Sequence, residues 1–86
     1  MPEIARFYGI IISMFYDDHN PPHFHARYGD ESVVIRIDTL SVLEGNVSAR
    51  ALGLIIEWAA QHKAELMEDW SLAKQNQVPK KVAPLK

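Results

Sequence analysis

Asp17-Asp18-His19-Asn20-Pro21-Pro22-His23-Phe24-His25-Ala26-Arg27 is the stretch around which the rest of the chain is organised. It carries three of the four histidines, two adjacent carboxylates, an Asn-Pro-Pro corner and an arginine, with apolar runs on both sides. Pro21 and Pro22 hold φ near about −65° and push the residues before them into extended conformations, so a helix is excluded and a stiff loop is predicted. From His23 the residues alternate with the two-residue period of a strand, sending His23, His25 and Arg27 to one face and Phe24, Ala26 and Tyr28 to the other. Gly29-Asp30 suits a type II′ hairpin turn, and residues 31–38 read as the return strand. In that register Tyr28 faces Glu31 and His23 faces Arg36. Phe24, Ala26, Val33, Ile35 and Ile37 then form a core face. His23, His25, Arg27, Ser32, Val34, Arg36 and Asp38 form a polar face, expected to stay open to water or a ligand.

Eighty-six residues, 48% of them hydrophobic, are enough for a single domain over residues 1–86 with a modest core. A formal net charge of −2 provides no bulk attraction for polyanions. Charge is uneven, because no acid follows Asp69 while Lys74, Lys80, Lys81 and Lys86 do, and residues 79–86 read as an extended basic tail. The absence of cysteine excludes disulfides, thiolate zinc sites and cysteine nucleophiles, and the cytoplasm is the expected compartment. The longest apolar run, Tyr8 to Tyr16, is broken by Gly9 and Ser13 and falls far short of the ~20 residues that span a bilayer. Met1-Pro2-Glu3 lacks a basic leader, so a native start at Met1 is expected.

Between Ile4 and Tyr16 both alternating sets are apolar, as in a strand covered on both faces, and Gly9 marks a bulge or a division into two strands. After the histidine hairpin, a short strand around Ser41 to Leu43 is expected to end in a Gly45-Asn46 turn. Ser48 then suits an N-cap, and Leu52, Ile55, Ile56, Ala59 and Ala60 follow at helical spacing. Run through to Gln75, one helix would be about 40 Å long. A domain of this size is only about 25 Å across, so a break near Gln61-His62-Lys63 is predicted. Trp58 and Trp70 read as core or interface residues, Glu65, Glu68 and Asp69 as a solvated helix face, and His62 as a residue of the bend. Val82 and Leu85 of the tail read as an added edge strand or a docking segment. The fold class is α+β: a small antiparallel sheet of three to four strands packed by one or two C-terminal helices.

His-x-His on a strand sets two imidazoles about 7 Å apart at Cα, a workable spacing for shared metal ligation. His19 with Asp17 or Asp18 extends the candidate metal set to His19, His23, His25, Asp17 and Asp18. Arg27 and Arg36 on the same face oppose a second cation and favour an anion instead. A phosphodiester held by Arg36 or Arg27, between one neutral and one protonated histidine, is what metal-independent RNA cleavage requires. The candidate active surface is therefore His19, His23, His25, Asp18 and Arg36, with no cofactor by this route and a divalent metal by the other. In the plainer account the histidines are solvated strand residues and Asp17, Asp18 and Asn20 cap a rigid turn, which leaves their clustering unexplained.

Across the chain, Met1-Pro2-x-Ile4, Arg6-Phe7-Tyr8-Gly9-Ile10, Asp18-His19-Asn20-Pro21-Pro22-His23-Phe24-His25-Ala26, Leu43-Glu44-Gly45, Glu57-Trp58 and Leu66-x-x-Asp69-Trp70 together resemble the short prokaryotic proteins of domain-of-unknown-function family 4160. The resemblance spans nearly all 86 residues. It implies a toxin–antitoxin-like pair, in which proteins like this one are the toxin and a small protein of domain-of-unknown-function family 2442, encoded nearby, is the antitoxin-like partner. It implies no particular reaction. A toxin-like protein acting on RNA or another phosphodiester is thus expected, with no membrane association and with a homo-oligomer as a further partner state. Two alternatives stand beside it. One is a non-catalytic protein- or nucleic-acid-binding module, including a regulator of transcription, although the sequence has neither a helix-turn-helix pattern nor a basic face. The other is a His/Asp metal-binding protein.

Overall fold

In the computed structural model, which describes residues 2–86, the apolar run after Pro2 divides at Tyr8-Gly9. Both residues take positive φ, 49° and 81°, the backbone of a tight primed hairpin turn. β1 (Glu3–Phe7) and β2 (Ile10–Ser13) pair antiparallel across it. The expected start at Met1 lies outside the described residues. β3 (His23–Tyr28) and β4 (Glu31–Arg36) form the second hairpin in the predicted register, from Tyr28 opposite Glu31 to His23 opposite Arg36.

β5 (Val42–Asn46) then pairs with β4, completing a five-stranded antiparallel sheet in the order β1-β2-β3-β4-β5. Three or four strands were expected, and the difference lies at both ends of the chain's first half. The Ile4–Tyr16 run supplies two strands, and Gly45-Asn46 continues β5 instead of turning. Val34 faces Glu44 and Ile35 faces Val42, so Leu43 is the extra residue of a bulge. Gly45, at φ 81°, brings its backbone so close to the Ser32 carbonyl that a Cβ there would collide with the oxygen.

Ser48 caps α1 (Ala49–Gln61) by accepting the Ala51 N–H at 3.3 Å. α2 (Lys63–Lys74) begins after His62, whose φ of −131° breaks the helical path at the predicted place. α1 covers the Phe24 face of the sheet. Trp58, fully buried, packs its ring on Phe7 at 5.4 Å and on Phe24 at 5.9 Å, and its indole N–H donates to the Ala83 carbonyl at 2.8 Å. The tail is extended, and its apolar residues are used internally. The Val82 N–H donates to the Ile4 carbonyl at 2.8 Å, and Val82 and Leu85 are buried in this chain's own core. The tail thus lies along β1 through Val82 and is held by Trp58 at Ala83, covering a carbonyl of the end strand.

Asp69 departs from the expected solvated helix face. It is 1% exposed, its Oδ1 accepts the Lys80 N–H at 2.8 Å, and its Oδ2 has no partner. Burial pushes this carboxyl above its ordinary range. The acid is there because the tail's backbone must be held where it turns back along the sheet, and a buried N–H requires an acceptor.

Asp69→Ala strands the Lys80 N–H and is expected to cost about 1–3 kcal/mol in urea unfolding. With a folded-state pKa above the unfolded one, Asp69 favours the native state most when protonated. The stability lead of the wild type over Asp69→Ala should therefore widen as pH falls from 7 towards about 4. Gly45→Ala adds a Cβ at positive φ against backbone, and is expected to cost about 1–3 kcal/mol and to raise hydrogen exchange along β5 first.

Candidate functional site

The loop between β2 and β3 is clamped by the end of α2. Asp17 N–H donates to the Ala73 carbonyl at 2.9 Å, and Lys74 Nζ donates to the Asp18 carbonyl at 2.8 Å. This fixes the Asp18 backbone, and its carboxylate points back over the start of β3. Asp18 Oδ1 accepts the His19 N–H at 2.9 Å and lies 3.0 Å from His19 Nδ1. Asp18 Oδ2 lies 2.8 Å from His23 Nε2 and 3.5 Å from His25 Nε2.

The two imidazoles share a face, as strand alternation requires, with ring centroids 5.3 Å apart. That face is less open than expected. His23 is 5% exposed, because α2 closes this end of the sheet and lays Trp70 against its ring at 5.0 Å. The Pro21 carbonyl lies 2.7 Å from His23 Nδ1 and accepts from it, which fixes the ring's orientation. His25 stacks on Phe15 at 4.0 Å, its side chain is 25% exposed, and its Nε2 is buried without a hydrogen-bond partner.

Asp18, His23 and His25 form the floor of a cleft of about 440 Å³, with Phe15, Val34 and Leu43 as apolar walls and His19 and Glu44 at the rim. Glu44 arrives there because Ser13, His25, Val34 and Glu44 are cross-strand neighbours in one row of the outer face. Burial is the largest influence on Asp18 and pushes its carboxyl up, but the His19 N–H and the two imidazoles together outweigh it and hold it below its ordinary value. For His25, burial prevails over the neighbouring carboxylate and lowers the imidazole, leaving it neutral near pH 7.

Of the residues singled out from the sequence, the structure brings together Asp18, His23 and His25, with His19 at the edge. Arg36 stands opposite His23 in the ladder, yet its guanidinium is held by Asp38 at 2.6 and 3.1 Å and does not line the cleft. Arg27 donates to its own turn at the Gly29 carbonyl, 3.2 Å away. Asp17 is turned out towards Lys74 at 3.8 Å. His62 bonds Glu65 at the helix junction, 2.6 Å away. Sequence reasoning missed Phe15, Glu44, Trp70 and Lys74 as parts of the site. The one available signal was that Leu43-Glu44-Gly45 and Asp69-Trp70 belong to the stretches that carry the resemblance.

A small α+β domain with a carboxylate and two imidazoles at the foot of a cleft is the class this geometry defines. Residues 9–71 match the family described as Domain of unknown function (DUF4160), and the chain belongs to that family. The matched span contains the histidine stretch, Leu43-Glu44-Gly45, Glu57-Trp58 and Asp69-Trp70, and begins after Met1-Pro2-x-Ile4 and Arg6-Phe7-Tyr8. No curated protein and no solved structure matches the chain. Among the described residues no helix is long and apolar enough to cross a membrane.

His23 is wedged between Trp70 and His25, so it has a packing role beside any chemical one. His23→Ala is expected to lose about 1–3 kcal/mol of stability by urea unfolding, as a buried large-to-small change. His19→Ala, at a side chain 90% exposed, should stay within about 0.5 kcal/mol of wild type.

Proposed function

We propose that this cleft is the reactive surface of a toxin-like protein that cleaves RNA or another phosphodiester in the cytoplasm, restrained by a small antitoxin-like protein encoded nearby. The observation that supports it is the convergence of Asp18, His23 and His25 at the floor of an accessible cleft, with Asp18 held by the His19 N–H and through its backbone by Lys74, His23 by the Pro21 carbonyl and His25 by Phe15.

Phosphodiester cleavage needs a base to take a proton from water or a ribose 2′-hydroxyl as oxygen attacks phosphorus. It also needs an acid to protonate the leaving oxygen. His25 is suited to the first task, being neutral with an unengaged Nε2. His19, exposed at the mouth of the cleft, is the candidate for the second. Asp18 steadies positive charge on either imidazole. Arg36 or Arg27 is the phosphate holder expected from the sequence, but Arg36 pairs with Asp38, Arg27 donates to the Gly29 carbonyl, and no lysine or arginine is among the residues that line the cleft. Positive charge for the transition state has to come from an imidazolium or a bound cation.

Expression without the partner should arrest growth, and purified protein should turn over RNA. His25→Ala and Asp18→Asn should each lower turnover by about 10²–10⁴-fold while the far-ultraviolet dichroism stays native. Undiminished growth arrest by folded His25→Ala and Asp18→Asn, or no turnover by the wild type, would remove the proposal.

A further inference from the structure

Around Asp18 Oδ2 the hydrogen bonding does not close with neutral imidazoles. His23 Nδ1 faces the Pro21 carbonyl at 2.7 Å, and because a carbonyl only accepts, the single proton of a neutral ring sits on Nδ1. His23 Nε2 then turns a lone pair towards Asp18 Oδ2 at 2.8 Å, acceptor against acceptor. Close by, His25 Nε2 is buried without a hydrogen-bond partner, 3.5 Å from the same oxygen. A second proton on His23 would mend the first contact and leave His25 Nε2 as it is. A cation among the three atoms satisfies all of them.

We infer that Asp18 Oδ2, His23 Nε2 and His25 Nε2 bind one divalent first-row transition-metal ion, Zn²⁺ or a neighbour in that series. The three ligand atoms all lie within 4.8 Å of one another. Ligands on a tetrahedral ion at about 2.1 Å stand about 3.4 Å apart, and the separations of 2.8 and 3.5 Å from Oδ2 bracket that value. Two imidazole nitrogens with one carboxylate oxygen suit zinc or iron(II), whereas calcium and magnesium take oxygen ligands. The outer contacts are those a metal site uses: Asp18 Oδ1 is held by the His19 N–H, and His23 Nδ1–H is held by the Pro21 carbonyl.

The charge of the cleft points the same way. Asp18 and Glu44 line it, no lysine or arginine is among the lining residues, and the nearby Lys74 Nζ is engaged by the Asp18 carbonyl at 2.8 Å. An ion held there would supply the missing positive charge and could acidify water in the cleft. Of the five candidate ligands in the sequence, Asp17 and His19 drop out, since Asp17 faces Lys74 and His19 contacts only Oδ1. The inference rests on the cleft being the reactive site and adds its cofactor; with the ion bound His25 is a ligand and no longer the free base, and RNA is not required as substrate.

Full-length protein stripped with chelator is titrated with ZnCl₂ by calorimetry and with Co²⁺ by visible absorption. The expected result is a single equivalent of zinc. Affinity should fall by roughly 10–100-fold or more in Asp18→Asn and in His25→Ala, and stay unchanged in Asp17→Asn and His62→Ala. Binding that survives both ligand substitutions, or no stoichiometric binding by folded wild type, overturns the site. If a ligand variant unfolds, the wild-type Co²⁺ titration decides: visible bands that saturate at one equivalent and are displaced by zinc support the site, and no stoichiometric spectral change overturns it. Phosphodiester turnover is followed in the same preparations. Zinc binding without turnover keeps the site and removes the RNA role, whereas chelator-insensitive turnover without zinc binding keeps the RNA role and removes the metal.

Discussion

Phe24 cannot occupy the core without carrying two imidazoles to the opposite side of the sheet. Its side chain is fully buried and its ring meets Trp58 at 5.9 Å, which sets the facing of the whole of β3. A slip of one residue would expose Phe24 and bury His25 among Val33, Ile35 and Ile12, so the free energy of the core enforces the geometry of the site. Packing and chemistry therefore share one determinant, the two-residue period of a single strand.

That strand's outer face becomes a site only where the far end of the chain closes it. Ala73 and Lys74 bind the backbone of Asp17 and Asp18, and Trp70 walls in His23. α2 is in turn joined to the tail by Asp69, and the tail is joined to β1 and Trp58 by two further backbone contacts. The buried carboxylate at position 69 is thus architectural. It holds the segment that seals the helix layer, and it lies in the helix that presses on the histidines.

Electrostatically the cleft is the reverse of what alternation alone implies. Arg36 and Arg27 share the polar face by register, but each finds a nearer acceptor, Asp38 two residues on and the Gly29 carbonyl two residues on. Short local partners cost less side-chain entropy than reaching across the sheet. With both guanidinium groups engaged there, the cleft keeps two carboxylates and three imidazoles and no lysine or arginine among its lining residues.

The sequence by itself determined the second hairpin and its full register, the division at Gly9, the Ser48 cap and the break at His62. Each is a local matter of backbone preference and period, readable within a few residues. Tertiary structure alone decided the rest. Gly45 sits in a strand because the Ser32 backbone approaches it, Glu44 reaches the cleft through two strand pairings, and Asp69 is buried because a tail eleven residues later folds over it. These depend on which distant segments meet, and residue spacing does not encode that. His23 belongs to both kinds: its face was set by the strand it starts, and its burial by a tryptophan from the last helix.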